Sequence, residues 1–498
     1  MKSHFIIWVF LLWNASVFAS PSNYTLTDQL EDFHRDPARY MARLPVKSGH
    51  IASPFSDASI NSGEFLASKD RFRKTLCLND GNRRFCPQLA ERSFVPYAAI
   101  DTPPQNIEAF VEGGAFRDAR ILDGIREMKV KQTPWSDTYW PLNKGALGQR
   151  YADPGFPAFG EWIDVFNYAS KLDIFAENPK DRLAPSEKYD VLVGDRQKTL
   201  TQMMWAQGRY YHETYGTVER WMGLCHGWAP ASYMLPRPTH AVTVQAADSN
   251  EPIKFVPSDI KGLATLLWAS GNQNTLFLGG RCTDKNPKVD ENGRILDGTC
   301  FDVNPGLFHI LLINRIRQSR PFIFDASYDY EVWNQPVLGY SYTYFNPQTL
   351  EQADTLELAH VPIDQYARDQ FKRYRSPHTK YVIGINMRVY YLVETQPTPS
   401  ETNSPQEDSS IWTQYMYDLE LDENRNIIGG EWYNNAHPDF VWTPQLNARA
   451  MSIGDYQLQE SWTPNQPVPA SWKNAAVRAS RNSQPLAHVV ESLLRWAQ

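Results

Sequence analysis

The residue of this chain best suited to covalent chemistry is a cysteine in the segment GLCHGWAPAS. Cys225 lies between Gly223 and Gly227, which permit a tight turn, and the apolar residues after it are typical of a helix that enters a core. A thiol in the first turn of a helix lies beside unpaired backbone N–H groups and the positive end of the helix dipole. Both lower the pKa of a thiol. The segment therefore predicts a nucleophile whose own backbone N–H can stabilise an oxyanion.

Two tryptophans flank this cysteine, Trp221 on one side and Trp228 on the other. We predict that they form the walls of the site and keep water out, and that the indole N–H of Trp221 is a second oxyanion donor. The alternative is that Cys225 is a buried thiol without reactivity.

A thiolate nucleophile needs an imidazole partner, and the imidazole needs a group that orients it. His309 lies in the apolar run GLFHILLIN, and Asp325 ends the apolar strand PFIFD. An imidazole or a carboxylate is costly in such surroundings unless it has a partner. We therefore predict a catalytic set of Cys225, His309 and Asp325, in the chain order of papain-like thiol enzymes. A satisfied core histidine is the alternative for His309.

A second histidine is the runner-up for the imidazole. His437 lies in GGEWYNNAHPDFVW, with Asp439 close behind it. His226 adjoins the nucleophile, but neighbouring residues on a helix point in different directions. A zinc site made of Cys225 and His226 lacks the paired ligand spacings that zinc sites use.

The first twenty residues predict export from the cell. The apolar run Phe5–Trp13 has about nine residues, too few for a bilayer that needs about twenty. Val17 and Ala19 occupy the −3 and −1 positions of a small-residue cleavage site. We predict a signal peptide at residues 1–19 and a secreted protein, extracellular or periplasmic. An uncleaved anchor is the alternative.

Export makes disulfides the default for paired cysteines. Cys77 and Cys86 bracket one turn-rich polar loop, and Cys282 and Cys300 bracket another. Local pairing within each loop is the simplest of the three connectivities that four cysteines allow. Cys225 is then the thiol that no disulfide uses.

The second of these loops, TDKNPKVDENGRILDGTCFD, carries five carboxylates. Oxygen ligands of this kind bind Ca²⁺, and Asp290 and Asp297 are the candidates we single out. The loop does not fit the EF-hand pattern. A disulfide-closed hairpin with solvated charges is the reading we favour.

The elements that must position these residues combine helices with strands. Pro185 and Gly194 start and stop one helix, and Asn304 with Pro305 starts another. AVTVQA and PIKFVP predict a hairpin, Ser258 caps a helix through about Ala269, and AHVVESLLRW predicts a C-terminal helix. Residues 396–411 form a Pro/Ser/Thr-rich link. Strand-like runs flank it: KYVIGINMRVYYLVE before it, and WTQYMYDLEL and NIIGGEWY after it.

These elements predict an α+β fold, with a helical thiol-enzyme half and an antiparallel β-rich half, distantly papain-like. We expect an N-terminal lobe or propeptide at 20–105, a helical catalytic region at 106–345, a β-rich region at 346–473 and a helical tail at 474–498.

Composition excludes several classes of protein. With 42% hydrophobic and 21% charged residues in 498, the chain can bury a core, so it is neither disordered nor fibrous. A formal charge of −7 gives no basic footprint for nucleic acid. No later stretch reaches eighteen apolar residues, so we expect no membrane insertion after signal cleavage.

Several segments together resemble the transglutaminase elicitor family of secreted oomycete and bacterial proteins. The resemblance rests on LAPSEKYDVLVGD, ERWMGLCHGWAPAS, DVNPGLFHILLINRI, FDASYDYEVWNQPVLGY and IIGGEWYNNAHPDFVW, and it covers about residues 110 to 445. It implies a Ca²⁺-dependent protein–glutamine γ-glutamyltransferase with only a distant likeness to papain-like folds. Carried across, Cys225 is the acyl-enzyme nucleophile.

The expected function is therefore the formation of Gln–Lys isopeptide cross-links, or deamidation of Gln, through a thioester on Cys225. The partners are proteins that bear Gln and Lys. A secreted cysteine peptidase or amidase that uses the same residues is one alternative. An adhesion or elicitor module without enzymatic activity is another.

Overall fold

We describe a computed structural model of the chain. The structure describes residues 24–47, 78–80, 83–85, 105–247, 252–271, 273–280, 287–296, 300, 302–327, 331–445, 447–455 and 458–498. The predicted signal peptide lies outside the described residues. So do Cys77, Cys86, Cys282 and Asp297, and the predicted disulfide pairing stays a prediction.

The described residues contain twelve α-helices. These are α1 (Leu26–Arg35), α2 (Pro37–Met41), α3 (Ala119–Asp123), α4 (Trp162–Ser170), α5 (Pro185–Val193), α6 (Thr199–Tyr215), α7 (Cys225–Met234), α8 (Pro257–Ser270), α9 (Pro305–Arg317), α10 (Leu356–Ala359), α11 (Ala470–Ser480) and α12 (Ala487–Trp496).

The same residues contain fourteen strands. These are β1 (Leu78–Asp80), β2 (Arg83–Phe85), β3 (Glu127–Lys129), β4 (Val242–Gln245), β5 (Pro252–Phe255), β6 (Thr275–Gly279), β7 (Ile323–Asp325), β8 (Asn334–Asn346), β9 (Glu351–Ala353), β10 (Val361–Pro362), β11 (Tyr381–Val393), β12 (Ser409–Leu421), β13 (Ile427–Gly429) and β14 (Phe440–Pro444).

A ten-stranded antiparallel sheet is the centre of the described fold. Its main path runs β13-β12-β11-β8-β7-β14-β6, and β3, β9 and β10 pair at its sides. β1 pairs with β2 and β4 with β5 in two small hairpins. Helices accompany this sheet, so the predicted α+β class is confirmed.

The two faces of this sheet carry different helices. Successive residues of a strand point to opposite faces. Ile323 of β7 packs in one apolar cluster with Ala229 of α7, and the next residue, Phe324, packs in another with Phe308 of α9. The helix that begins at Cys225 and the helix that carries His309 therefore lie on opposite faces.

Most of the predicted elements are confirmed. The helix after Pro185 ends at Gly194, which adopts the left-handed φ of 69° that favours glycine. Asn304 caps α9 by accepting the N–H of Gly306. The predicted cap of α8 differs, because this helix begins at Pro257 and the side chain of Asp259 accepts the N–H of Val256.

The predicted link at 396–411 is the connection between two paired strands. β11 and β12 pair along their whole length, from Tyr381 opposite Leu421 to Val393 opposite Ser409. The connection lies against the helical part of the chain, where the N–H of Ala241 donates to the carbonyl of Glu401.

The sheet contains strands from both sides of the predicted boundary at residue 346. β7 and β8 belong mainly to the predicted helical region, and β11 and β12 belong to the predicted β-rich region. The two halves predicted from the sequence thus share one sheet. The N-terminal hairpin of α1 and α2 packs on it as well, burying Phe33 and Tyr40 against Tyr433.

Candidate active site

Cys225 is the first residue of α7 and is a free, buried thiol. The loop before it is held by Tyr139, whose carbonyl accepts the N–H of Leu224 at 2.5 Å. Gly223 makes this approach possible, because a Cβ there would lie 2.4 Å from the Tyr139 carbonyl oxygen. The predicted helix start is confirmed, and the thiol lies beside the N–H groups of a first helical turn.

Gly227 allows the first turn of α7 to pack closely against α8. A Cβ on Gly227 would lie 2.2 Å from the carbonyl oxygen of Thr265 in α8. The glycine therefore lets the first turn of α7 lie directly against α8. A side chain here would push the turn that carries Cys225 away from its support.

The sulfur of Cys225 is bracketed by the start of β8. Its Sγ lies 3.6 Å from the carbonyl oxygen of Val332, and the side-chain amide of Asn334 donates to it at 3.5 Å. Trp442 donates its indole N–H to Oδ1 of Asn334 at 2.7 Å, which turns the amide nitrogen toward the sulfur. Sequence reasoning missed Asn334. The signal was a polar pair, Asn334 and Gln335, at the start of a run in which apolar and aromatic residues predominate.

Asp325 lies at the same end of the sheet. It is paired directly with Asn334 across β7 and β8, so the two side chains share the face that α7 covers. Its Oδ1 accepts from Ser327 N, Ser327 Oγ and Trp333 N at 2.7–3.1 Å. The structure therefore brings Asp325 to the neighbourhood of Cys225, with Asn334 between them.

His309 lies elsewhere. Its Nδ1 is 2.8 Å from the Tyr417 hydroxyl, and its ring packs against Tyr342, eight residues beyond Asn334 on β8. Eight residues of extended strand span about 26 Å. Burial lowers the pKa of His309 to about 3, so it is neutral at physiological pH.

The structure therefore does not bring His309 to Cys225, and the predicted pairing of the two is not formed. The reason is that α9 packs on the face of the sheet opposite α7, where its apolar sides enclose the imidazole.

His437 is buried near the start of β14. Its ring stacks on Trp432 with centroids 4.7 Å apart, and its Nδ1 lies 3.7 Å from Oδ2 of Asp302. Burial raises the pKa of Asp302 well above its usual value, and the charge of Asp325 raises it further. Burial lowers the pKa of His437 to about 3. His437 thus lies beside Asp302, a carboxyl group on which the charge of Asp325 acts.

The two flanking tryptophans are both buried, but their N–H groups are engaged. Trp221 donates its indole N–H to Oε2 of Glu219, which removes it as an oxyanion donor. Trp228 donates to the carbonyl of Trp135 at 2.9 Å and is part of the helical core. Neither supplies the second donor that we predicted. The Asn334 amide, which sequence reasoning did not find, is a side-chain donor in contact with the sulfur.

Aromatic and acidic side chains surround the thiol further out. Tyr139 and Trp333 pack edge to face with ring centroids 5.1 Å apart. Trp333 donates its indole N–H to Glu331, and Gln335 donates its amide to Glu394 at 2.7 Å. The charges of Glu394, Cys225 and Glu331 all act on Tyr139.

A family model described as "Transglutaminase elicitor" matches residues 105–460. The chain belongs to the transglutaminase elicitor family. All of the residues placed at the site above, from Tyr139 to Trp442, lie within the matched range.

A solved structure is similar to this member of the family: the crystal structure of the GP42 transglutaminase from Phytophthora sojae. The two are 20% identical, the match covers 70% of this chain and 92% of that chain, and the TM-score is 0.48. No curated protein matches the chain.

The Ca²⁺ that the resemblance implies does not fit the candidate that the structure describes. Asp290 accepts from Asn292 N and Arg294 N at 2.8 and 2.9 Å, and also from Arg373 and from Tyr374 Oη. Its oxygens are thus taken by protein donors, one of them a cation. Across the described ranges, no group of three or more His, Cys, Asp or Glu side chains is arranged to hold a metal ion.

None of the described helices is both long enough and apolar enough to cross a membrane.

Proposed function

We propose that this protein is a secreted protein–glutamine γ-glutamyltransferase that cross-links Gln to Lys, or deamidates Gln, through a thioester on Cys225. The observation that carries the proposal is a free thiol at the first turn of a helix, in a chain of the transglutaminase elicitor family. Export rests on the signal peptide predicted at residues 1–19.

In the proposed first half-reaction, Sγ of Cys225 attacks the carboxamide carbon of a Gln side chain. The C–S bond forms and the C–N bond breaks, and the departing NH2 group takes the proton that the thiol gave up and leaves as ammonia. Backbone N–H groups of the first turn of α7 stabilise the oxyanion. The side-chain amide of Asn334 lies 3.5 Å from the sulfur and stabilises the thiolate by donating a hydrogen bond to it.

In the second half-reaction, an amine or a water molecule attacks the thioester carbonyl. The new C–N or C–O bond forms, the C–S bond breaks, and Cys225 regains its proton. Amine must compete with water at about 55 M, so exclusion of water decides the product. The aromatic pair of Tyr139 and Trp333 beside the sulfur is suited to that task.

We propose His437 as the imidazole that moves protons in this cycle, in place of His309. Two observations support it: the 3.7 Å approach of its Nδ1 to Asp302, and the electrostatic coupling of Asp302 to Asp325. Asp325 lies opposite Asn334, which contacts the sulfur. This role requires a proton relay from His437 through Asp302 and Asp325 toward the thiol, because the Trp432 ring on which His437 stacks belongs to the apolar cluster of α9.

The test is incorporation of a fluorescent primary amine into a Gln-rich protein. Wild-type protein should label the acceptor protein, and Cys225→Ala should not. Ser232→Ala is the matched control, because it truncates a buried polar side chain of the same helix whose hydroxyl bonds only to Ala229. It should retain labelling.

Two outcomes would replace the proposal. Peptide fragments without amine incorporation would indicate a cysteine peptidase or amidase. Absence of any product, together with sluggish alkylation of Cys225 by iodoacetamide at pH 6, would indicate a module without catalytic activity.

A further inference from the structure

Glu394 is a carboxylate of the site that the cycle above does not use. It follows Val393, the last residue of β11, and is half-buried. Its Oε1 accepts the side-chain amide N–H of Gln335 at 2.7 Å. Burial raises its pKa to about 7, and the hydrogen bond from Gln335 opposes that rise.

One short segment, residues 137–139, contacts the residue after Glu394 and the residue before Cys225. The N–H of Thr395 donates to the carbonyl of Asp137 at 2.9 Å, and the N–H of Leu224 donates to the carbonyl of Tyr139 at 2.5 Å. Two residues of extended chain span about 7 Å. The backbone next to Glu394 and the backbone next to Cys225 are thus hydrogen-bonded to carbonyl groups two residues apart, at Asp137 and Tyr139.

Tyr139 is subject to the charges of three acidic groups. Burial raises its pKa above the usual value, and the charges of Glu394, Cys225 and Glu331 raise it further, while the exposed guanidinium of Arg220 opposes them. Glu394, Cys225 and Glu331 therefore all disfavour ionisation of the Tyr139 hydroxyl. Its ring packs on Trp333, whose neighbour in sequence contacts the sulfur.

Aromatic rings and carboxylates that lie close together attract an organic cation. Ammonium groups are drawn both to carboxylates and to the faces of Trp and Tyr rings. We propose that Glu394 binds the ammonium group of the acyl acceptor and takes its proton, so that this site selects primary amines that arrive as cations, such as lysine side chains.

This inference rests on the proposed acyl transfer and names the residue that serves its second half. The ammonium transfers one proton to the Glu394 carboxylate and becomes a neutral amine. The amine nitrogen then bonds to the thioester carbon, the C–S bond breaks, and the second proton of that nitrogen goes to the departing Cys225 thiolate. A carboxylate with a raised pKa can hold the first proton at neutral pH.

The experiment compares two acceptors with one Gln donor: cadaverine, which is a cation at neutral pH, and hydroxylamine, which is neutral. Glu394→Gln should lower kcat/KM for cadaverine by about tenfold or more, since a charge-assisted contact is lost. It should leave kcat/KM for hydroxylamine unchanged. Glu401→Gln is the matched control, because Glu401 lies in the same connection, is exposed and pairs with Lys254. It should change neither value.

Glu394→Asp provides a second variant that keeps the charge. It should lie closer to wild type than Glu394→Gln in the ratio of cadaverine to hydroxylamine use. An equal loss with both acceptors, or no change with either, would overturn the role of Glu394. Wild-type protein that transfers acyl groups to neither acceptor would instead overturn the proposed function.

Discussion

The side-chain amide nitrogen of Asn334 lies 3.5 Å from Sγ of Cys225. The two residues are far apart in sequence, and they meet because α7 packs on the face of the sheet where β8 begins. Trp442 fixes the amide from the next strand but one, so three separate elements determine the environment of one thiol.

The first prediction concerns this contact. Asn334→Asp keeps an acceptor for Trp442 but replaces the donor beside the sulfur with a negative charge, which disfavours the thiolate. We expect the pKa of Cys225 to rise by about one unit, so that alkylation at a fixed pH below the pKa slows by about tenfold. The measurement is the rate of iodoacetamide alkylation of Cys225 against pH, read by mass spectrometry.

Asn435→Asp is the control for that experiment, since Asn435 donates to the carbonyl of Gly293 and lies outside the contacts of the sulfur. Its profile should match wild type. A profile for Asn334→Asp that also overlays wild type would show that the amide does not act on the thiol.

The second prediction separates the two imidazoles. His437→Gln should lower amine incorporation by about 10²–10⁴-fold, the usual contribution of a positioned acid–base group. His309→Gln should retain activity per folded molecule, because the side chain lies in the core of the opposite face. The measurement is kcat for each variant after normalisation to the folded fraction. The reverse order of losses would restore His309 as the partner of Cys225.

The third prediction concerns pH and stability. The folded state holds the pKa of His309 near 3 against 6.5 in an exposed histidine. Its contribution to stability is therefore complete above pH 6.5 and is lost as the pH falls toward 3, because the unfolded state binds the proton first. When the pH falls from 7.5 to 5.0, His309 alone lowers the free energy of unfolding by about 2 kcal/mol.

His309→Gln keeps a hydrogen-bonding partner for Tyr417 and does not titrate. Its loss of unfolding free energy between pH 7.5 and 5.0 should thus be smaller than that of wild type by about 2 kcal/mol. Urea denaturation at the two pH values measures this difference. Equal losses in both proteins would mean that His309 titrates normally in the folded state.

The fourth prediction concerns the contact of α7 with α8. Gly227→Ala would place a methyl group 2.2 Å from the carbonyl oxygen of Thr265, so the helices must separate. We expect a loss of about 1–3 kcal/mol in stability and a fall in activity, since the first turn carries Cys225. Gly124→Ala is the control, because a Cβ there has its nearest neighbour at 3.5 Å. Thermal denaturation that shows no difference between the two variants would rule out close packing at Gly227.

Local signals in the sequence predicted individual elements well. The helix at Pro185–Val193 has Pro and Gly at its ends, and β7 ends at Asp325 as the strand-like run PFIFD predicts. The strand β8, with 13 residues, was not predicted from the sequence. Pro336 and Gly339 interrupt its pattern, although Tyr340, Tyr342 and Tyr344 alternate as buried residues of one face.

The site was predictable only where it depends on local structure. Cys225 at a helix start follows from its neighbours in sequence. Whether His309 can meet Cys225 does not, because it depends on which face of the sheet α9 covers. Asn334 is likewise visible only after β7, β8 and β14 have been placed side by side.

The most direct test of the account is the intact mass of the protein after brief incubation with a Gln-containing peptide and no amine. The account predicts an adduct equal to the peptide minus ammonia, located on Cys225, released by hydroxylamine and absent from Cys225→Ala. An adduct that maps to another residue, or product formation by Cys225→Ala, would contradict it.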